Sequence, residues 1–268
     1  MNHYILEHFR SYSTECPDAH YHQIRALHED LSFTWQDAKA LCPDLCRGWY
    51  ELAHLAASDR VEFTKEFWAT KFHLDPEFIK FLNSFFDRID DIGIYLTQTI
   101  EDPFFKPQLV YSLKENEGFY RGASPITEEQ TLQLQQLFSD SLLPNDYLHF
   151  LQIHNGFAKL LDSGVESSFQ LKKVNLELRS LLAEREPLKT FKGALIDPNS
   201  LIAFYQSYHT PSFQCFYKEW YPKQEMGNLY YSAETHTISD YAKTDAETEA
   251  MAFETFTKWL KFYLEKLA

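Results

Sequence analysis

The sequence predicts an α+β protein, in which a helical N-terminal region precedes a mainly antiparallel β-sheet flanked by helices. Over residues 1–90, apolar side chains recur every three or four positions, which is the period of an amphipathic helix. From residue 91 onward, short runs rich in β-branched and aromatic residues are separated by proline and glycine, as is typical of strands and turns. These patterns divide the 268-residue chain into a helical region, 1–90, and an α+β domain, 91–268.

Composition and charge exclude several classes of protein. The chain carries 39 acidic and 25 basic residues, a net charge of −14, and no run of lysine and arginine that could neutralise phosphates. We therefore expect no nucleic-acid partner, and instead a basic protein partner attracted by complementary charge. The N-terminus lacks a signal-peptide pattern, and no stretch has the roughly 18–20 apolar residues that span a bilayer. We expect a soluble, cytoplasmic protein that does not enter a membrane.

Three apolar patterns follow one another in the helical region. Residues 34–58 place tryptophan and leucine on one helical stripe, which Pro43 interrupts, so a helix should begin or kink there. The second pattern, in residues 59–74, consists of Val61, Phe63, Phe67, Trp68 and Phe72. Asp75-Pro76 then has the form of an N-cap followed by a first-turn proline, which predicts a helix continuing to about Ile89.

Strands and short helices are predicted for the middle of the chain. Two or three antiparallel strands should occupy residues 92–122. Thr127 and Gln130 form a capping box that opens a helix over 127–141. A second short helix should begin with Pro144 in its first turn and end at Asn155-Gly156, because both of these residues tolerate the left-handed conformation of a helix C-cap.

The C-terminal third returns to strands after a charged amphipathic helix at 168–187. Residues 211–222 and 227–233 are strand-like, and 235–241 should pair back through a short turn at Ala233-Glu234. A second capping box, from Thr244 to Glu247, opens the last helix. Its apolar face contains Phe253, Phe256, Leu260, Tyr263, Leu264 and Leu267.

Three segments in the second half occur in a distinctive order. The first runs from Leu143-Pro144 through Tyr147 and Leu151 to Asn155-Gly156. The second is the Gly227-Asn228 pair, which opens an aromatic strand after Trp220-Tyr221-Pro222. The third is the strand at 237–241, followed by the C-terminal helix.

In these segments, which cover about residues 124–268, the chain resembles the SUKH superfamily of bacterial toxin-immunity proteins and fungal cell-wall-assembly regulators. The resemblance implies a binding scaffold, and the motif residues have structural interpretations. Pro144 starts a helix, Tyr147 and Leu151 pack it, and Gly156 turns the chain into a strand. Gly227 lets the backbone bend or bulge before a half-buried strand. About 120 N-terminal residues and the helix at 168–187 are additions to a minimal domain of this kind.

No cluster in the sequence predicts a catalytic residue, a cofactor or a metal ion. Cys42 and Cys46 share a helical face and, with His20 and His22, could be considered for zinc, but Pro43 lies between them and no second pair matches. We expect these thiols, and Cys16, to be free or buried, and Cys215 to be buried in a strand. His149 and His154 are five residues apart, so we expect one exposed histidine and one at a helix end.

Two groups of residues are candidates for a partner-binding surface. Asp87, Asp90 and Asp91 could act in acid–base chemistry or bind Mg²⁺, but Arg88 lies among them, which favours a solvated helix end or an acidic binding rim. The second group is aromatic and consists of Phe213, Phe216, Tyr217, Trp220 and Tyr221. Most of it should pack in a core, with Trp220 and Tyr221 as candidates for a binding hot spot.

These observations favour a non-enzymatic protein-binding module. By resemblance, it would be an immunity or antitoxin-type factor that binds and neutralises a toxin, and the acidic charge fits a basic toxin. Two alternatives remain open. The first is a regulatory or scaffolding adaptor with the same fold. The second is an unrecognised enzyme, which would require a pocket where histidines and carboxylates converge.

Overall fold

The computed structural model describes residues 3–10, 21–160, 162–185, 187–207, 211–241 and 251–266, and it divides the chain into two compact units. The first unit comprises Met1–Pro125 and Phe157–Leu161, and the second comprises Ile126–Gly156 and Asp162–Ala268. The division therefore lies at residue 125 and not near residue 90, because the strands that follow residue 90 pack with the N-terminal helices. Among the described helices, none combines the length and apolar character needed to cross a membrane.

In its described residues, the first unit is a five-stranded antiparallel sheet with helices on both faces. Its strands are β1 (Gln23–Ala26), β2 (Ile89–Gln98), β3 (Lys106–Leu113), β4 (Phe119–Ala123) and β5 (Phe157–Lys159), paired in that order. Its helices are α1 (His3–Arg10), α2 (Trp35–Leu41), α3 (Arg47–Ala53), α4 (Ala57–Lys71) and α5 (Pro76–Phe86). The three antiparallel strands predicted across 92–122 are confirmed, whereas β1 lies in a region that was predicted to be helical.

Alternating side chains of the central strands enter two different cores. Val110 packs with Ile5 and Phe9 of α1 on one face of the sheet. The next residue, Tyr111, points to the opposite face, where its hydroxyl accepts a hydrogen bond from Nε1 of Trp68 in α4 at 3.0 Å. Because both faces are covered, β3 is buried along nearly its whole length, including its polar residues Gln108 and Ser112.

The helix boundaries of the first unit follow local signals. The predicted break at Pro43 separates α2 from α3. The predicted cap of α5 is also present, since the Asp75 carboxylate accepts the backbone N–H of Phe78 at 2.9 Å and Pro76 is the first helical residue.

A buried ion pair fixes α4 against β2. The Arg60 guanidinium donates to both carboxylate oxygens of Asp91, each at 2.8 Å from Nη2, and the two side chains are only 8% and 9% exposed. Nη1 of Arg60 also donates to the carbonyl of Leu55 at 2.7 Å. Asp91 follows Asp90, where the pairing register of β2 with β3 shifts, so the carboxylate is turned inward at a β-bulge.

The second unit has the same general arrangement with a different topology. Its helices are α6 (Glu128–Leu137), α7 (Asn145–Leu151), α8 (Leu171–Ala183) and α9 (Phe256–Lys266). Its strands are β6 (Gly164–Val165), β7 (Lys189–Thr190), β8 (Leu201–Gln206), β9 (Ser212–Tyr217), β10 (Asn228–Ser232), β11 (Thr237–Ile238) and β12 (Ala252–Phe253). The strand order is β6-β8-β9-β10-β11-β7 with β12 beside β10, and the β11–β7 pair is parallel while the others are antiparallel. The α+β class, with mainly antiparallel sheets flanked by helices, is confirmed.

Helices cover both faces of the second sheet as well. On one face, α8 contributes Val174, Leu178 and Leu182 to a core that includes Cys215 and Leu229. On the other face, aromatic side chains of α7, α9, β8 and β9 pack together. They are Tyr147, Phe204, Phe216, Phe256 and Trp259.

Polar side chains join segments that are distant in sequence within the second unit. Asp146 of α7 accepts the backbone N–H of Thr257, in the first turn of α9, at 3.0 Å. Asn175 of α8 is buried and pairs with both the N–H and the carbonyl of Ala203, where the register of β8 with β9 shifts. In each case a side chain forms hydrogen bonds with backbone groups that have no partner within a helix or between paired strands.

Several sequence predictions for the second unit are confirmed, and the predicted extent of the last helix is wrong. Confirmed are the capping box of α6, the helix within 168–187 and the pairing of β10 with β11. The last helix begins at Phe256, so Phe253 lies in β12 and not on its apolar face. The predicted capping box from Thr244 to Glu247, together with Leu267, lies outside the described residues.

Replacing Asp91 with asparagine should destabilise the chain by about 3–5 kcal/mol, because the buried Arg60 would lose its counter-charge. Urea denaturation monitored by circular dichroism measures the loss. The matched control is Glu51→Gln, which breaks the exposed Arg47–Glu51 pair and should cost less than about 1 kcal/mol. Equal losses in the two variants would contradict the assigned role of the buried pair.

His8 of α1 should make stability depend on pH. Burial, and secondarily the charge of Arg121, lower its pKa to about 4. Between pH 6.5 and 4 the unfolded chain binds a proton that the folded chain does not, so stability should fall as the pH is lowered through this window. An NMR titration of the His8 ring measures the pKa directly. Arg121→Gln should raise that pKa without restoring 6.5, and an unshifted wild-type value would refute the prediction.

Candidate partner-binding surfaces

The predicted aromatic group divides into buried and exposed members. Phe213, Phe216 and Tyr217 are buried in β9, as expected for a core strand. Trp220, in the turn between β9 and β10, is half-buried and packs against the core of the second unit. Tyr221 is 49% exposed. Of the two residues predicted as a hot spot, Tyr221 therefore presents about half of its surface to solvent, whereas Trp220 contributes mainly to packing.

Glycine at position 227 makes room for the Trp220 ring. A Cβ atom at Gly227 would lie 2.3 Å from Cε3 of Trp220, closer than two carbon atoms can approach. The backbone N–H of Gly227 donates to the Trp220 carbonyl at 2.9 Å, which closes the turn. The sequence suggested a bend or bulge at this glycine, but close approach to an aromatic ring is the physical reason for it.

Charged residues around this turn are engaged in internal contacts. Lys218 forms an ion pair with Asp140 at 2.7 Å, and its ammonium group lowers the pKa of that carboxyl. The Glu219 carboxylate accepts hydrogen bonds from the hydroxyls of Ser200 and Tyr217. These contacts restrict the backbone of the turn between β9 and β10, so the Tyr221 side chain is attached to an ordered backbone.

A further contact joins this turn to α7. The Glu225 carboxylate accepts the backbone N–H of Asn145 at 3.1 Å and its side-chain amide at 2.7 Å. Asn145 is the first residue of α7, and Pro144 cannot cap it through a side chain. Glu225 therefore takes the capping role that a local residue usually plays.

The three aspartates predicted as an acidic surface do not form one. Asp91 is buried and paired with Arg60, which corrects the expectation that it belongs to a solvated group. Asp87, just after α5, and Asp90, at the β2 bulge, are exposed. Arg88 pairs with Glu117 at 2.9 Å and not with these aspartates. The register shift between Ile89 and Asp91 lies where the exposed Asp90 is followed by the buried Asp91, and sequence spacing does not reveal it.

Residues of the motif segment from Leu143 to Gly156, in and before α7, are mostly core residues. Leu143, Tyr147 and Leu151 are buried, as predicted. The Tyr147 ring lies 5.2 Å from the rings of both Phe216 and Phe256. Pro144 directly precedes α7 as its N-cap residue and is not the first helical residue, a displacement of one position from the prediction.

The end of α7 differs from the prediction. The helix ends at Leu151, because the N–H groups of Ile153 and His154 both donate to the Phe150 carbonyl and close a tight turn. Gly156 has a φ of +103°, which favours glycine, and β5 begins at the next residue, as predicted. Asn155 has a different role, since its side-chain oxygen accepts the backbone N–H of Ser168 at 2.6 Å.

Asn228 joins three segments of the second unit. Its side-chain amide donates to the Thr255 carbonyl at 3.0 Å, and its oxygen accepts a hydrogen bond from the Gln214 amide at 2.8 Å. The side chain is fully buried, so these contacts satisfy both of its polar ends. A polar residue at the start of β10 thereby anchors the segment that leads into α9.

The cysteines and histidines considered for chemistry occupy separate positions. Cys42 directly follows α2 and Cys46 directly precedes α3, so they do not share a helical face. Burial raises the pKa of the Cys42 thiol to about 12, and it also raises the pKa of Cys215. His154 is buried and His149 half-buried. Within the described residues, no group of three or more His, Cys, Asp or Glu side chains is arranged to hold a metal ion, and Cys16 and His20 lie outside them.

Sequence reasoning missed one exposed surface in the first unit. Phe63 and Phe67 of α4 fit the apolar helical pattern, but they are 57% and 38% exposed, while the core face of the same helix holds Arg60, Thr64 and Trp68. The i, i+4 spacing of two phenylalanines among Asp59, Glu62 and Glu66 was the available signal. The fold and these surfaces define an α+β protein of two units with aromatic side chains at its surface.

Comparisons of the chain with protein-family models, with curated proteins and with solved structures find no match.

Replacing Gly227 with alanine should destabilise the chain by about 1–3 kcal/mol, because the added methyl group overlaps the Trp220 ring. Chemical denaturation measures the loss, and a change in tryptophan fluorescence should accompany it. Gly48→Ala is the control, since no atom lies within 4 Å of its Cβ position in α3, and it should be neutral or stabilising by up to about 1 kcal/mol. Adding Trp220→Leu to Gly227→Ala should recover part of the loss, and no recovery would contradict the assigned contact.

Proposed function

We propose that the chain is a non-enzymatic protein-binding module of the immunity or antitoxin type, which binds and neutralises a basic protein toxin. The observation that carries this proposal is the packing of the SUKH-like motif segments into one unit. Tyr147 of α7 contacts Phe216 of β9, and Phe216 pairs with Asn228 at the start of β10. Glu225, just before that strand, caps α7. These contacts, which join the two principal segments of the resemblance, support the proposal.

The roles of the motif residues support a scaffold and not a reaction centre. Leu143 and Leu151 fill the core, Gly156 forms a turn, and Gly227 accommodates an aromatic ring. Asn228 is occupied by structural hydrogen bonds. A module whose distinctive residues all maintain its shape is suited to presenting a rigid surface to a partner.

Charge and exposed aromatic surface support a basic protein partner. Acidic residues outnumber basic residues in both units, so the field of the chain attracts cations. Tyr221 stands on a turn that internal ion pairs and hydrogen bonds brace, so little side-chain or backbone order would have to be gained on binding. Tyrosine on a rigid backbone is a frequent anchor of protein interfaces.

The chain should bind, and inhibit, a basic toxin domain encoded beside its own gene. Isothermal titration measures the binding, and the affinity should weaken as salt is added because complementary charge contributes to it. Tyr221→Ala should reduce the affinity by about tenfold or more. The control is Phe169→Ala, which removes an exposed aromatic ring from another segment of the second unit and should leave the affinity unchanged.

Failure to bind any basic nuclease or toxin domain would refute the proposal. Tight binding without inhibition would also refute neutralisation, and would favour a regulatory or scaffolding adaptor that uses the same fold with a different partner.

A further inference from the structure

The outward side of α4 combines aromatic and acidic side chains. We define the α4 face by its exposed residues Asp59, Glu62, Phe63, Glu66 and Phe67. Their spacings of three and four residues place them side by side along about two turns of the helix. Phe63 and Phe67 are 57% and 38% exposed, so both phenylalanines present part of their surface to solvent beside three carboxylates.

The two phenylalanines are not needed to hold α4 in place. The opposite side of the helix is anchored by the Arg60–Asp91 ion pair and by Trp68, which is fully buried and hydrogen-bonded to Tyr111. A polar side chain at either exposed position would preserve these contacts. The exposed aromatic surface therefore calls for an explanation other than the stability of the unit.

The rings can accept cations at their faces. The ammonium group of Lys71 already lies 5.8 Å from the centre of the Phe67 ring. Asp59 precedes Phe63 by four residues and Glu66 follows it by three, so a cation placed over Phe63 would lie between two carboxylates. Lys65, at the edge of the face, pairs with Glu62 at 2.6 Å, and the carboxylates of Asp59 and Glu66 provide the remaining negative charge.

We infer that the α4 face is a docking surface for a basic amphipathic segment of a protein, one that presents lysine or arginine beside an apolar side chain. The apolar side chain packs between Phe63 and Phe67, and the cations pair with Asp59 and Glu66. A second copy of the same face would be a poor partner, because a two-fold contact would bring six carboxylates together. The inference concerns the first unit and does not depend on the proposed toxin partner.

The test uses a synthetic amphipathic helical peptide of leucine and lysine, about 18 residues long, labelled with a fluorophore. Fluorescence anisotropy with the full chain should show binding that weakens with salt, and a peptide with glutamine in place of lysine should bind at least about tenfold more weakly. The double variant Phe63→Ser/Phe67→Ser should lose about tenfold or more in affinity. Asp59→Asn/Glu66→Gln should weaken binding and flatten its salt dependence.

The matched control is Leu132→Ser/Leu137→Ser, which removes two exposed leucines near Glu128 and Glu129 on α6. This variant and Tyr221→Ala should retain the wild-type affinity for the peptide. Circular dichroism verifies that each variant is folded. The inference is overturned if the wild-type chain does not bind the peptide, if the glutamine peptide binds equally well, or if the α6 variant loses as much affinity as the α4 variant. Loss of toxin binding alone would leave this result unaffected.

Discussion

The contact between Arg60 and Asp91 determines how the largest helix of the first unit is oriented. A two-pronged contact between a guanidinium and a carboxylate restricts both distance and angle, unlike an apolar contact, which tolerates sliding. The pair locks the first turns of α4 to the bulged start of β2, and Trp68 fixes the helix two turns further on. The rotation of α4 about its axis is therefore set, and with it the choice of residues that face the solvent.

The Arg60–Asp91 contact explains why the apolar pattern of the sequence did not identify the buried side of α4. Burial of an arginine and an aspartate with exposure of two phenylalanines reverses the usual assignment of side chains to core and surface. An apolar period taken from the sequence assumes that the apolar residues define the buried face. The partner of Arg60 lies 31 residues away, beyond the reach of any helical pattern. Asp91 was consequently predicted to be solvated, and the apolar pattern that included Phe63 did not indicate that this residue is exposed.

Local signals, in contrast, predicted most of the elements. The caps at Asp75 and Thr127, the break at Pro43 and the pairing of β10 with β11 each depend on neighbouring residues, and each is present. The predictions from sequence were wrong where an element boundary depends on a contact with a residue that is distant in sequence. The helix after Pro144 receives its cap from Glu225, and Phe253 pairs with Asn228 in a strand and does not extend the last helix. Gly227 was recognised as special, but the ring that requires it belongs to a turn whose path the sequence does not specify.

The two units differ in how much of the chain must be synthesised before each of them can fold. The five strands described in the first unit have all been synthesised by residue 161, since β5 is the last of them. The second unit joins α7 to α9 through Asp146 and Thr257, which are 111 positions apart. Because closing so long a loop is slow and domains fold as units when their residues become available, the first unit forms early and the second must remain open until α9 emerges. During that interval the aromatic side chains of β8 and β9 lack the part of their cover that α9 supplies, which leaves the nascent second unit prone to aggregation.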